Sequence, residues 1–498
     1  FGDRGRGRGR GRRGGALMPT PAVELGPILP ELILVGVGVV LLIAGVALRK
    51  ASPTALLVLS LGGIAAAAVA SIRLWDWDGG PSVLAGSIST DRFGVVVRVV
   101  ILGVAALGAV LGHHYFERSG EGRAEFYPLL LFATAGMTLF AVSADLIMAF
   151  LALEILSLSL YVLTGFSTRL GSIEGAMKYF LLGSFSSAFF LFGIAMAYGA
   201  SGSTRLPAIA DALSGRTGSV ALAVTAMGLL AVGFAFKVSA VPFHMWTPDV
   251  YQGAPTAVTG FMSAGTKVAA FAAFIRVFNI SFQPITWDWQ PVVGILAAVS
   301  IVAGSLLAIA QTDIKRLLAY SSISHAGFVL LGLTAAGEDG IGAALFYLVA
   351  YAATVIGAFG VVMVVSARGE RHTSLSAYAG LARRSPVAAG LLTLFLLSLA
   401  GIPPTVGFVA KVAVFRAATE AGYWFLVLIG VLASVVAAFV YLRVIVLMFM
   451  REPEEDTRPD ESWLPRVAIA VPAVLVVVLG VFPGLIVGLL DEAAVLRW

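Results

Sequence analysis

The chain has 498 residues, of which 12% are charged and 59% belong to the set AVILMFWYC, with a mean hydropathy of +0.95. A soluble domain is about one quarter charged, so this composition excludes a water-soluble enzyme and makes lipid the solvent for most of the chain. The formal charge of +5 belongs to the first seventeen residues, FGDRGRGRGRGRRGGAL, which hold six Arg and one Asp; the 27 basic and 27 acidic residues that follow balance.

In chain order, the Gly/Arg leader comes first and offers no apolar side chain worth burying, so residues 1–17 are expected to be disordered. Met18 directly precedes the first apolar run, which predicts a leader that is not native. An RNA-binding tail would rest on composition alone, and no nucleic-acid partner is expected; nor is there the cleavage-site pattern of a signal peptide. Residues 18–498 are expected to form a single transmembrane domain. About twenty apolar residues cross a hydrocarbon core of roughly 30 Å. That ruler places segments 1–7 near 28–48, 54–74, 93–112, 126–143, 145–166, 173–200 and 218–247. Segments 8–14 follow near 253–279, 290–311, 315–336, 339–366, 385–418, 423–449 and 465–489. These runs lack the alternation of a barrel strand, and lipid leaves backbone groups no outside partner, so the predicted fold is an all-α polytopic membrane protein of about fourteen helices.

Loops after odd-numbered segments carry fourteen Lys and Arg residues, among them Arg118, Arg169, Arg316, Arg383 and Arg384, against seven in the even loops. The positive-inside rule then puts odd loops in the cytoplasm and both termini on the periplasmic side of a bacterial inner membrane. The sequence has no Cys, which rules out disulfides and thiolate iron–sulfur ligation. It also has no Gly-rich dinucleotide fingerprint after a strand. No cofactor and no metal is expected on this chain.

A charge at mid-bilayer costs about 2.5–3.5 kcal/mol even on a lenient scale, so each one needs a reason. Glu154 sits about nine residues, or roughly 14 Å, into its segment. Lys237, Lys267 and Lys411 lie deep in segments 7, 8 and 12, and Lys178 is expected to snorkel from the end of segment 6. Pro242 follows Lys237 by five residues, and Pro403-Pro404 precede Lys411 by seven. Both segments therefore lose backbone hydrogen bonds beside a charge. Such paired breaks point to two inverted five-helix repeats, segments 4–8 (126–279) and 9–13 (290–449), with an ion site at each break. One buried Glu–Lys pair is equally compatible with mere helix packing. Three lysines against one clear carboxylate favour proton transfer, because a buried ammonium without an anionic partner gives up its proton more readily. His244 and His325 are possible relays; for His244 the alternative is bonding backbone freed by Pro242. For His325 with Ser321, Ser322 and Ser324 the alternative is interhelical hydrogen bonding. His113, His114 and His372 are expected in loops, and two membrane histidines in one chain do not suggest b-type haem.

Four stretches carry a resemblance: FKVSAVPFHMWTPDVYQGAPTAVTGFMSAGTKVAAF (Phe236 to Phe271), EGAMKYFLLGSFSSAFFLFGIAMAYGASGS (Glu174 to Ser203), QTDIKRLLAYSSISHAGF (Gln311 to Phe328) and LAGIPPTVGFVAKVAVF (Leu399 to Phe415). Together they resemble the antiporter-like membrane subunits of proton-pumping NADH:quinone oxidoreductase, respiratory complex I. The wording WTPDVYQGAP and the lysine at 411 resemble subunit N among them. The resemblance implies that Glu154 pairs with Lys237, that Lys267 passes protons centrally to Lys411, and that His244 and His325 are relay positions. It also implies that NADH, FMN, iron–sulfur clusters and quinone sit on other subunits, and that the partners are other membrane subunits of the complex and the lipid bilayer. An Mrp-type cation/proton antiporter subunit is the alternative function, and a mere structural spacer a third.

Overall fold

The computed structural model describes residues 25–47, 52–77, 83–120, 124–215, 218–366, 370, 372–453 and 462–497. The Arg/Gly leader lies outside them. Among the described residues the secondary structure is helical apart from three isolated backbone bridges.

Segments 1–6 form α1 (Leu29–Ala47), α2 (Pro53–Ile72), α3 (Arg92–Ser119), α4 (Phe126–Val142), α5 (Leu146–Thr164) and α6 (Leu170–Ser201). A short helix, α7 (Leu206–Ser214), follows; the sequence reading missed it because its buried stripe of Leu206, Ile209 and Leu213 spans only two turns. Segment 7 is α8 (Val220–Val238), a turn, and α9 (Trp246–Gly253). Segments 8–11 are α10 (Thr256–Ile280), α11 (Thr286–Ile309), α12 (Ile314–Leu333) and α13 (Glu338–Val365). After the short α14 (Leu381–Arg384), segment 12 is split into α15 (Pro386–Ala400) and α16 (Val406–Glu420), and segment 13 is α17 (Trp424–Met450). Segment 14 is shorter than expected: α18 (Trp463–Val481) stops before Pro483, and α19 (Gly484–Ala493) is separate. Proline has no N–H to continue the ladder and steers the preceding residue away from helix.

Twelve of these helices are long and apolar enough to cross a membrane alone. The 17-residue α4 and the α15–α16 pair complete the fourteen crossings. The histidine expectation fails at one point: His113 and His114 lie in the last turns of α3, not in a loop, because that helix runs beyond its apolar stretch. His113 is buried, with Nδ1 2.7 Å from Tyr127 OH.

Two five-helix units, α4 to α10 and α11 to α17, repeat each other in detail. Asp145 caps α5 through Ile147 N (2.8 Å), and Asp313 caps α12 through Arg316 N (3.0 Å). Beside them, Leu146 N and Leu206 N bond Thr204 O and Ala144 O at 2.9 and 3.0 Å, while Ile314 N and Leu375 N bond Thr373 O and Thr312 O at 2.8 and 2.7 Å. A Cβ on Gly136 would meet Leu156 N of α5 at 2.6 Å, and one on Gly304 would meet Ser324 N of α12 at 2.5 Å. In both units a bare glycine lets two helix backbones touch. Arg276 Nε donates to Ala141 O (3.2 Å) and Arg443 Nη1 to Ile309 O (2.7 Å). Matching helices are five crossings apart, so they run in opposite directions and the units are inverted. The most buried helices, α10, α12 and α13, form the central pillar between them.

Candidate functional site

Each unit's broken crossing leaves backbone groups without their helical partners. In the first, α8 ends at Val238 and Ser239 takes a left-handed conformation, with φ 64°. Ala240 N bonds Ala235 O (2.8 Å), Ser239 N and Trp246 Nε1 bond Phe236 O (both 3.0 Å), and Ser300 Oγ accepts from Val241 N (2.9 Å). The last carbonyl, Val238 O, accepts from Lys267 Nζ of α10 at 3.0 Å. The second break repeats this. Gly401 N and Ile402 N bond Leu397 O, and the last carbonyl of α15, Ala400 O, accepts from Lys411 Nζ at 2.8 Å. A cation at a helix C-terminus meets the negative end of the dipole. Lys267 and Lys411 are thus equivalent plugs in two inverted breaks, a relation that sequence spacing does not reveal.

Lys237 is the penultimate residue of α8 and is buried. Its Nζ donates to Ser157 Oγ (2.9 Å) and Tyr179 OH (3.2 Å) and stands 5.3 Å from the Tyr179 ring centroid. Glu154, one turn before Ser157 on α5, accepts from Ser187 Oγ of α6 at 2.5 Å. Glu154 and Lys237 make no direct ion pair, contrary to the expectation; the serine hydroxyls occupy the bonding positions around both. Glu154 is only half-buried, at the edge of the exposed stripe Ile147, Leu151, Ile155, Leu158 and Val162.

Between the breaks, Lys267 Nζ also donates to Ser322 O of α12 (2.6 Å), and Tyr351 OH of α13 donates to Ser322 Oγ (2.8 Å). One turn along each helix, His325 Nδ1 lies 2.7 Å from Tyr347 OH. Lys411 Nζ reaches Ser434 Oγ (3.2 Å) and lies 4.8 Å from the Phe328 ring centroid. Lys267, Ser322, His325 and Lys411 therefore share one polar interior. Ser321 and Ser324 do not join this line: they bond Tyr441 and Ser305, which is interhelical bonding. His244 is not brought to Lys237, because α8 ends before it; its Nδ1 is buried without a partner. Lys178 bonds Asp249 (2.8 Å) and Glu174 (2.6 Å) rather than simply reaching for water. Sequence reasoning missed Ser157, Tyr179, Tyr347, Tyr351 and Ser434. Helical spacing was the available signal, since Ser157 is three residues from Glu154 and Tyr347 and Tyr351 are four apart.

Charges nearer the membrane faces are arranged differently. Asp91 pairs with Arg276 through two 2.8 Å bonds and caps α3 through Gly94 N. Burial pushes the Asp91 carboxyl up, but Arg276 and the N–H groups of Gly94 and Arg497 outweigh this and hold it below its ordinary value. Glu370 accepts from Lys315 Nζ (2.7 Å), Arg169 Nη2 (3.1 Å) and Thr256 N (2.5 Å). Burial again raises this carboxyl, and Lys315 and Arg169 outweigh it. Among the described residues no cluster of His, Cys, Asp and Glu is arranged to hold a metal.

Residues 143–437 match the family described as NADH:quinone oxidoreductase/Mrp antiporter, TM. The chain is 45% identical to NADH-quinone oxidoreductase subunit N of Rhodococcus opacus, over 96% of this chain and 97% of that one. It is 44% identical to the same subunit of Mycobacterium tuberculosis, over 96% and 99%. A chain of respiratory complex I from Thermus thermophilus superposes with a TM-score of 0.78 at 36% identity, covering 92% of this chain and 98% of that one. A chain of the Mrp complex from Dietzia matches at 0.79 but at 23% identity, covering 94% and 97%, which shows a common fold alone. The chain belongs to the subunit N family of NADH:quinone oxidoreductase, the antiporter-like, proton-translocating membrane subunits of complex I.

Proposed function

We propose that this chain is the translocase part of the complex rather than a redox part, and that Lys237, Lys267 and Lys411 carry the transferred proton with Glu154 as the controlling carboxylate. The observation that supports this most is that all three buried ammonium groups donate their hydrogen bonds to hydroxyls and carbonyls, and none forms a direct ion pair with a carboxylate among the described residues. A proton can leave such a group without stranding a buried counter-charge.

In this reading, quinone reduction on other subunits shifts charge along the membrane arm and moves the Glu154 carboxylate relative to Lys237. How firmly Lys237 keeps its proton then depends on that distance. The proton passes from Lys237 toward Lys267 and on past Ser322 and His325 to Lys411, with the serine and tyrosine hydroxyls rotating to donate or accept. These groups are coupled, so their titrations belong to the set. His244, outside this line, has the lesser role of serving backbone and water at the first break. Electrons, FMN, iron–sulfur clusters and quinone belong to other subunits. The chain sits among other membrane subunits in the bacterial plasma membrane, with odd loops cytoplasmic and both termini periplasmic.

The test is proton pumping by the assembled complex in membrane vesicles. Lys237→Ala and Glu154→Ala should each reduce it, with the subunit still present; undiminished pumping by fully assembled variants refutes the assignment. Sodium-dependent proton flux without NADH would favour the antiporter function instead.

A further inference from the structure

The two inverted units differ at one guanidinium. In the first, Arg276 of α10 is fully buried, bonds Ala141 O near the end of α4, and is neutralised by Asp91, which α3 supplies from outside the repeat. Its counterpart is Arg443 of α17. Arg443 bonds the equivalent helix end, Nη1 to Ile309 O (2.7 Å) and Nη2 to Gln311 O (2.8 Å). No carboxylate among the described residues pairs with it, and its Nε is buried without an acceptor. A half-buried guanidinium with two of its five N–H groups used still has donors to offer.

The depth of Arg443 indicates what fills the place of Asp91. The helices α11 and α17 run in the same direction, and both begin at outward-facing tryptophans, Trp287 (89% exposed) and Trp424 (66% exposed). Such tryptophans mark a membrane–water interface. Twenty residues of helix, about 30 Å, cross the hydrocarbon from there. That length from Trp424 ends at Arg443, so the residue lies at the far end of the hydrocarbon core, where a long cationic side chain can reach the level of lipid phosphates. Around it Leu306, Leu442 and Val446 face outward. We propose that Arg443 seats the phosphate of an anionic phospholipid, which supplies in the second unit the negative charge that Asp91 supplies in the first. The acyl chains of the same molecule cover the apolar side chains beside it, which a carboxylate alone would leave bare. Arg is suited to this role, because its planar fork matches phosphate oxygens.

The test uses the intact complex purified with wild-type chain, Arg443→Gln or Arg443→Lys. Each preparation is stripped with detergent and titrated with phosphatidylglycerol, phosphatidylcholine or inorganic phosphate, and bound molecules are counted by native mass spectrometry. The wild-type complex should keep about one more phosphatidylglycerol than the Gln variant. The Lys variant should bind it several-fold more weakly, because it lacks the fork. Phosphatidylcholine should bind more weakly, and inorganic phosphate should not displace the lipid. Equal lipid counts in wild type and Gln variant overturn the proposal. So does loss of a neighbouring subunit at unchanged lipid count, which gives the site to a partner's carboxylate, and so does binding of inorganic phosphate alone. Should the Gln variant fail to assemble, wild type against the Lys variant decides, and equal affinity for phosphatidylglycerol overturns it.

Discussion

The charges near the membrane faces and those at mid-membrane are equally buried and oppositely arranged. At the faces, Arg276 has Asp91, Lys315 has Glu370, and Arg98 has Glu31 through bonds of 2.9 and 3.0 Å. At the centre, Lys237, Lys267 and Lys411 have Ser157, Tyr179, Val238 O, Ser322 O, Ala400 O and Ser434. A buried ion pair fixes geometry, because removing either partner strands the other in low dielectric. A lysine among neutral oxygens is bound through one proton-bearing end and leaves only hydrogen-bonding groups behind when it is neutral. The difference separates clamps from carriers, and the expected effects of mutation follow it.

The largest effect should come from a clamp. Lys315→Met leaves Glu370 buried with only Arg169 and Thr256, and should cost about 3–5 kcal/mol, read as lost retention of the chain in the complex during a thermal ramp. Lys267→Met strands no carboxylate, so it should abolish pumping while the complex still assembles. If both variants lose assembly equally, the distinction is wrong. The clamp also has a pH signature. Because the folded Glu370 carboxyl lies below its ordinary value of 4.5, its contribution is complete above that pH and is lost as the pH falls through the lowered value. The difference in melting temperature between wild type and Glu370→Gln should therefore be constant near neutrality and shrink below pH 4.5. A gap that widens in acid would contradict the pairing.

A smaller effect should come from the second break. Gly401 has φ 79°, and a Cβ there would meet Lys411 Cδ at 2.7 Å. Gly401→Ala should cost about 1–2 kcal/mol for the left-handed backbone and push the ammonium away from Ala400 O. Pumping should fall more than assembly does. Placing the same substitution in a Lys411→Met background isolates the backbone part, since nothing then remains to be displaced.

Much of this was legible in the sequence. The fourteen crossings followed from twenty-residue apolar runs, and the two breaks from Pro242 and Pro403-Pro404, because both are local properties. The pairing of Lys267 with the break of a different crossing was not, since it depends on how α10 packs against α8. The Glu154–Lys237 pair is what the resemblance implies, and in the structure Ser187 of α6 and Ser157 of α5 occupy the hydrogen-bonding positions at Glu154 and Lys237. Lys315 is one of the fourteen basic residues that the apolar ruler assigns to odd loops. Its burial is set by Glu370, which folds back from a loop 55 residues away.

The smallest effect is a control on whether partner type, rather than mere proximity, decides. Arg416 and Glu420 pair at 2.8 Å on α16, just over one turn beyond Lys411, with side chains 77% and 54% exposed. Water and salt screen such a pair, and its partners lose little when separated. Glu420→Gln should leave both thermal retention and pumping unchanged at physiological ionic strength. If pumping falls instead, any charge near Lys411 influences the carrier, and the neutral character of its immediate partners is not what makes it one.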